Sequence, residues 1–96
     1  MTGIILLYFG ELKCTNYFFI QLTLKKSNIR RLIGLNIAYY RKLNGMTQEQ
    51  LGSELNMEQS SISKIERAAR GVSIETLYDI AEELGVEAYQ LLKPKD

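Results

Sequence analysis

The stretch from Thr47 to Ile65 constrains this chain more tightly than any other. Leu51 and Leu55 lie four apart, and Ile62 and Ile65 lie three apart, spacings that put each pair on one face of a helix. Asn56 stands between the two pairs and tolerates the left-handed backbone that a tight turn requires. Thr47, followed three residues later by Gln50, fits a capping box at a helix start. The segment therefore predicts two short helices, residues 48–55 and 59–67, joined by a tight turn.

Helical spacing continues on both sides. Upstream, from Arg30, Ile33, Ile37 and Tyr40 fall at i, i+4 and i+7, and Gly45 is placed to stop that helix. Downstream, Ser73 can cap a fourth helix whose inward stripe is Ile74, Leu77, Ile80, Ala81 and Leu84, with Gly85 at its end. A short fifth helix near residues 87–92 ends at Pro94. The expectation is an all-α five-helix domain over residues 29–93.

Residues 1–28 form an extension of different character. Residues 4–9 are one apolar run, and from Phe18 the pattern alternates, with Phe18, Ile20, Leu22 and Leu24 on one face and Gln21 and Thr23 on the other. That is strand periodicity, and two strands joined through residues 10–16 would make a β-hairpin, marginal unless it packs on something. Three readings stay open: a hairpin added to the helical domain for dimerisation, a disordered segment, or translated sequence upstream of a true start. Glu11 and Lys13 interrupt the segment, which is too short to span a bilayer. It also lacks the basic start and small-residue cleavage site of a signal peptide.

Composition excludes several chemistries. The chain has no His, so Ser–His–Asp and Cys–His catalysis are out, and the commonest metal ligand is missing. A lone Cys14 can neither close an internal disulfide nor hold zinc alone, and it suits a reducing, cytoplasmic setting. The net charge of +1 is unevenly spread: residues 25–70 balance to +5 and residues 71–96 to −4. Such asymmetry points to a polyanion facing the middle of the chain, although a solvated mixed surface would look the same. The run Lys25, Lys26, Arg30 and Arg31 carries the same two readings.

Two short helices on a tight turn are helix-turn-helix geometry. Gly45-Met46-Thr47-Gln48-Glu49-Gln50-Leu51, Leu55-Asn56-Met57 and Ser61-Ile62-Ser63-Lys64-Ile65-Glu66, together with residues 76–86, resemble the phage repressor and Cro-type (XRE) DNA-binding family over residues 32–92. The resemblance implies a lambda-repressor-like fold and a sequence-specific double-stranded DNA-binding transcriptional regulator. It further implies a repressor that works by operator occupancy, as a homodimer on a pseudo-palindromic operator in the cytoplasm. No catalytic residue, metal or cofactor is implied. The alternative is an antitoxin or protein-interaction module whose DNA binding is autoregulatory.

Carried over position by position, the resemblance places Thr47 and Gln48 at the start of the second helix, where Gln48 meets a phosphate. Gln59, Ser60, Ser63 and Lys64 fall on the outward, base-reading face of the third helix, and Ser61 near backbone or the turn. Arg67 and Arg70 fall on phosphates beyond that helix, and Arg41 with Glu66 form an ion pair tying the first helix to the third. The chain departs from the family in having Glu58 at the third helix's cap, Gly52 for Ala, Val72 for Pro, and Ala68 where Gly commonly ends the third helix. The last predicts a longer third helix.

Overall fold

The computed structural model describes residues 26–94; the predicted hairpin lies outside them. Four α-helices follow one another, α1 (Lys26–Leu43), α2 (Gln48–Leu55), α3 (Gln59–Glu66) and α4 (Ile74–Leu84), and a 3-10 turn spans Ala88–Leu91. No strand occurs among the described residues. The fifth helix expected near residues 87–92 is that single 3-10 turn. Across it the Glu87 N–H donates to Gln90 Oε1 at 2.9 Å and the Gln90 N–H donates to the Glu87 carbonyl at 2.9 Å.

All four helices end in the same way. Gly45, Asn56, Ala68 and Gly85 have φ of 70°, 60°, 63° and 74°, the only left-handed residues described. After each, the next N–H reaches back five residues, as Met46 to Arg41, Met57 to Gly52, Ala69 to Lys64 and Val86 to Ala81. This is the Schellman closure, which satisfies carbonyls that a helix end leaves orphaned. At three of these sites Gly or Asn makes the turn cheap. At the fourth, Ala68 adopts the turn despite its Cβ, so α3 stops at Glu66 and the longer helix expected from Ala68 does not form.

The core is built from Ile37, Leu51, Ile62, Ile65, Leu77, Ile80, Ala81, Leu84 and Leu91, with Ile33, Tyr40, Met46, Leu55 and Met57 packed against it. Ile74 was expected to join this stripe but is 82% exposed. It opens α4, and because helical Cβ atoms tilt toward the N-terminus its side chain passes the edge of the core.

Two close approaches set the helix arrangement. A Cβ at Gly34 of α1 would lie 2.6 Å from the Ile65 carbonyl and 2.7 Å from that of Glu66. Only a glycine lets the end of α3 pack this tightly onto α1. At Gly52 a Cβ would meet the Met57 carbonyl at 2.6 Å, so the turn between α2 and α3 folds flat against α2. Two asparagines then close the far side. Buried Asn36 donates through Nδ2 to the carbonyls of Leu91 and Lys93, both at 3.0 Å, which holds the C-terminal turn onto α1. Asn44 Nδ2 donates to the Leu84 carbonyl at 3.0 Å, joining the ends of α1 and α4.

Candidate nucleic-acid interface

α3 has one face in the core and the other outside. Ile62 and Ile65 are 1% and 2% exposed. Helical spacing then turns Gln59, Ser60 and Lys64 to solvent, where all three are exposed, while Ser61 and Ser63 are half-buried. Arg67 lies one turn on, its Nε donating to Ser63 Oγ at 3.3 Å, and Arg70 follows on the loop, with Nε 3.4 Å from the Gly71 carbonyl.

The two helix starts differ. Thr47 caps α2 through a complete capping box: Thr47 Oγ1 accepts from the Gln50 N–H at 3.0 Å, and Gln50 Oε1 accepts from the Thr47 N–H at 2.8 Å. The Thr47 hydroxyl proton keeps its freedom to donate. Glu58, at the head of α3, makes no side-chain cap bond, and its carboxylate adds only charge complementarity to the helix dipole.

A chain of polar contacts runs from the core to the head of α3. Arg41 is bidentate on Glu66, with Nε–Oε2 2.6 Å and Nη2–Oε1 3.1 Å, and its Nη1 donates to the Met46 carbonyl at 2.8 Å. Both side chains are nearly closed off, 10% and 7% exposed. Gln48 Nε2 donates to the same Glu66 Oε1 at 2.9 Å, and Gln48 Oε1 accepts from Gln59 Nε2 at 2.6 Å.

The fold thus brings Arg41, Glu66, Gln48 and Gln59 together, leaves Ser60 and Lys64 alongside on the same helix, and sets Arg67 and Arg70 beyond its end. The sequence reading did not include the Gln48–Gln59 and Gln48–Glu66 contacts. The signal available was a glutamine at the first position of both short helices.

These features define a helix-turn-helix domain with a polar outer face on its second short helix. The family model described as Helix-turn-helix (HTH_3) matches residues 37–91. The chain is 36% identical over 69 residues to the HTH-type transcriptional regulator y4dJ of Sinorhizobium fredii, covering 72% of this chain and 90% of that protein. Among solved structures it is similar to the hypothetical transcription factor NHTF from Neisseria, with TM-score 0.68 and 28% identity over 74% of this chain and 82% of that one. It is also similar to the biofilm master regulator SinR in complex with DNA, with TM-score 0.60 and 32% identity over 64% of this chain and 98% of that one. The chain belongs to the XRE-type helix-turn-helix family of DNA-binding transcriptional regulators. No helix among the described residues is long and apolar enough to cross a membrane.

Proposed function

We propose that this chain is a cytoplasmic repressor that acts as a homodimer by occupying a pseudo-palindromic operator. The observation that carries the reading is the two-sidedness of α3: Ile62 and Ile65 lock it into the core, while Gln59, Ser60 and Lys64 stand exposed in a row. A helix so held can enter the major groove with its N-terminal residues leading. Gln59 has the groups to pair with adenine, Lys64 can donate to guanine, and Ser60 and Ser63 to either.

Thr47, Gln48, Ser61, Arg67 and Arg70 would contact the backbone, which positions the protein without reading sequence. The +5 balance of residues 25–70 supports a polyanionic partner on this side. Half-sites spaced by about one helical turn, ~34 Å, would match two copies related by a two-fold axis. Selection of bound duplexes from a random library tests the reading. Recovery of an inverted repeat is expected; recovery of no consensus, or of a single unpaired half-site, refutes sequence-specific dimeric occupancy.

A further inference from the structure

A groove runs between the first turns of α1 and the loop that joins α3 to α4. Ile29 and Ile33 of α1, Ile65 of α3 and Val72 of the loop give it an aliphatic lining. Arg30 and Arg70 flank these side chains. No acidic side chain lines the groove among the described residues. The acid next to Ile65, Glu66, is already engaged by Arg41 and Gln48. Neither Arg30 nor Arg70 has an ion-pair partner among the described residues. Two cations therefore stand over an apolar bed with no described counter-charge.

Arg30 owes its position to what Gly71 lacks. A Cβ at Gly71 would stand 3.0 Å from Arg30 Nε, 3.5 Å from Nη2 and 3.6 Å from Cζ. The guanidinium thus lies against the loop backbone, in space that a side chain at position 71 would contest. Arg30 is half-buried there, and Arg70 is exposed. A guanidinium is weakly hydrated and its planar fork of donors matches a carboxylate, so a partly buried one gains from an anion that reaches it.

We propose that this groove binds a small organic acid, one carboxylate on an apolar body about the size of a benzene ring. Arg30 takes the carboxylate, Arg70 adds the second positive charge, and the apolar body lies on the four aliphatic side chains. Volume sets the size of the ligand. The groove holds about 240 Å³, more than the ~150 Å³ cavity that takes benzene but less than the ~300 Å³ at which pockets for drug-sized ligands begin. A phosphate of a DNA backbone is the poorer occupant, because it would satisfy the arginines and leave the aliphatic bed in water. Gln59, Ser60 and Lys64 do not line the groove, so the site is distinct from the face proposed to read bases.

Fluorine NMR titration of the full chain with 4-fluorobenzoate tests this without DNA. Binding with a Kd of about 1 mM or tighter is expected for a ligand of so few atoms. The neutral 4-fluorobenzyl alcohol should bind at least about tenfold more weakly, since it lacks the charge that strengthens the hydrogen bonds. Arg30→Gln should weaken 4-fluorobenzoate binding by about tenfold. Arg30 makes no hydrogen bond or ion pair among the described residues, so that variant should melt as the unmodified chain does. Gly71→Ala should weaken binding by about threefold by crowding the guanidinium, and should add nothing in the Arg30→Gln background, because its effect passes through that side chain.

No binding at about 10 mM acid, equal affinity for the alcohol, or unchanged affinity in Arg30→Gln overturns the proposal. Displacement of 4-fluorobenzoate by inorganic phosphate as readily as by benzoate also overturns it, and would mark a plain anion contact of the kind a DNA backbone makes. A loss from Gly71→Ala that is as large with Arg30→Gln as without it removes Arg30 from the site.

Discussion

Arg41 holds Glu66 by two nitrogens at once, 2.6 and 3.1 Å from the two carboxylate oxygens, with both side chains nine-tenths or more closed off. The pair joins the last turns of α1 and α3, and the third Arg41 nitrogen binds the Met46 carbonyl just before α2. Removing either partner strands a charge in a place water scarcely reaches. Arg41→Ala is expected to lower stability by about 3–5 kcal/mol. Glu66→Ala should cost a similar amount, and the double variant much less than the sum, because the members of a pair are not additive. Urea unfolding of the three variants checks this; a loss below about 1 kcal/mol for Arg41→Ala would mean that the pair behaves as a surface bridge.

Reading and anchoring should separate by mutation. Gln59 heads α3, so Gln59→Ala is expected to cost about 1–3 kcal/mol on the preferred site and to relax discrimination at one base pair. Arg67 lies just past the end of α3, and on the proposed reading Arg67→Ala should weaken binding to all sequences alike and reduce the salt slope by about one unit. Titrations on specific and scrambled duplexes at several salt concentrations distinguish them. Equal losses on both duplexes for Gln59→Ala would displace the reading face from this end of α3.

Ala68 is the odd member of four matching helix ends. Its φ of 63° brings Cβ against the following carbonyl, a strain that Gly45 and Gly85 avoid. Ala68→Gly removes that strain but gives back some unfolded-state freedom, so a net gain of about 0.5–1 kcal/mol is expected. Thermal melts decide it, and a destabilised variant would contradict the left-handed assignment.

Gly34 should tolerate nothing larger. The added methyl of Gly34→Ala meets two backbone carbonyls that cannot rotate away. Its helix-propensity gain is about 1 kcal/mol, against overpacking that forces α1 from α3. A net loss of about 1–3 kcal/mol is expected, visible in chemical denaturation, together with weaker DNA binding as α3 shifts.

What was legible in the sequence was local. Thr47 with Gln50, Ser73 before α4, Asn56 in the turn, and Gly45 and Gly85 after their helices each act within a few residues, so the chain order alone displays them. The start of α1 was placed four residues late, because its first turn, Lys26–Ser27–Asn28–Ile29, brings little apolar periodicity. Asn36 and Asn44 bond across 55 and 40 residues, and no short-range pattern announces such partners. The outer face of α3 follows from where Ile62 and Ile65 must point. The engagement of Gln48 by Glu66 and Gln59 depends on how α2 crosses α3, which spacing within either helix does not specify.

The contacts from Glu66 to Gln59 also have a direction. An ionised carboxylate accepts only, so the Gln48 amide must turn its nitrogen inward, and its oxygen then points to Gln59. Gln59 in turn must offer nitrogen to Gln48, which leaves its oxygen and one N–H for whatever approaches. A buried acid thus determines which way round a surface amide is presented. The donor and acceptor that Gln59 leaves facing outward are chosen by the interior.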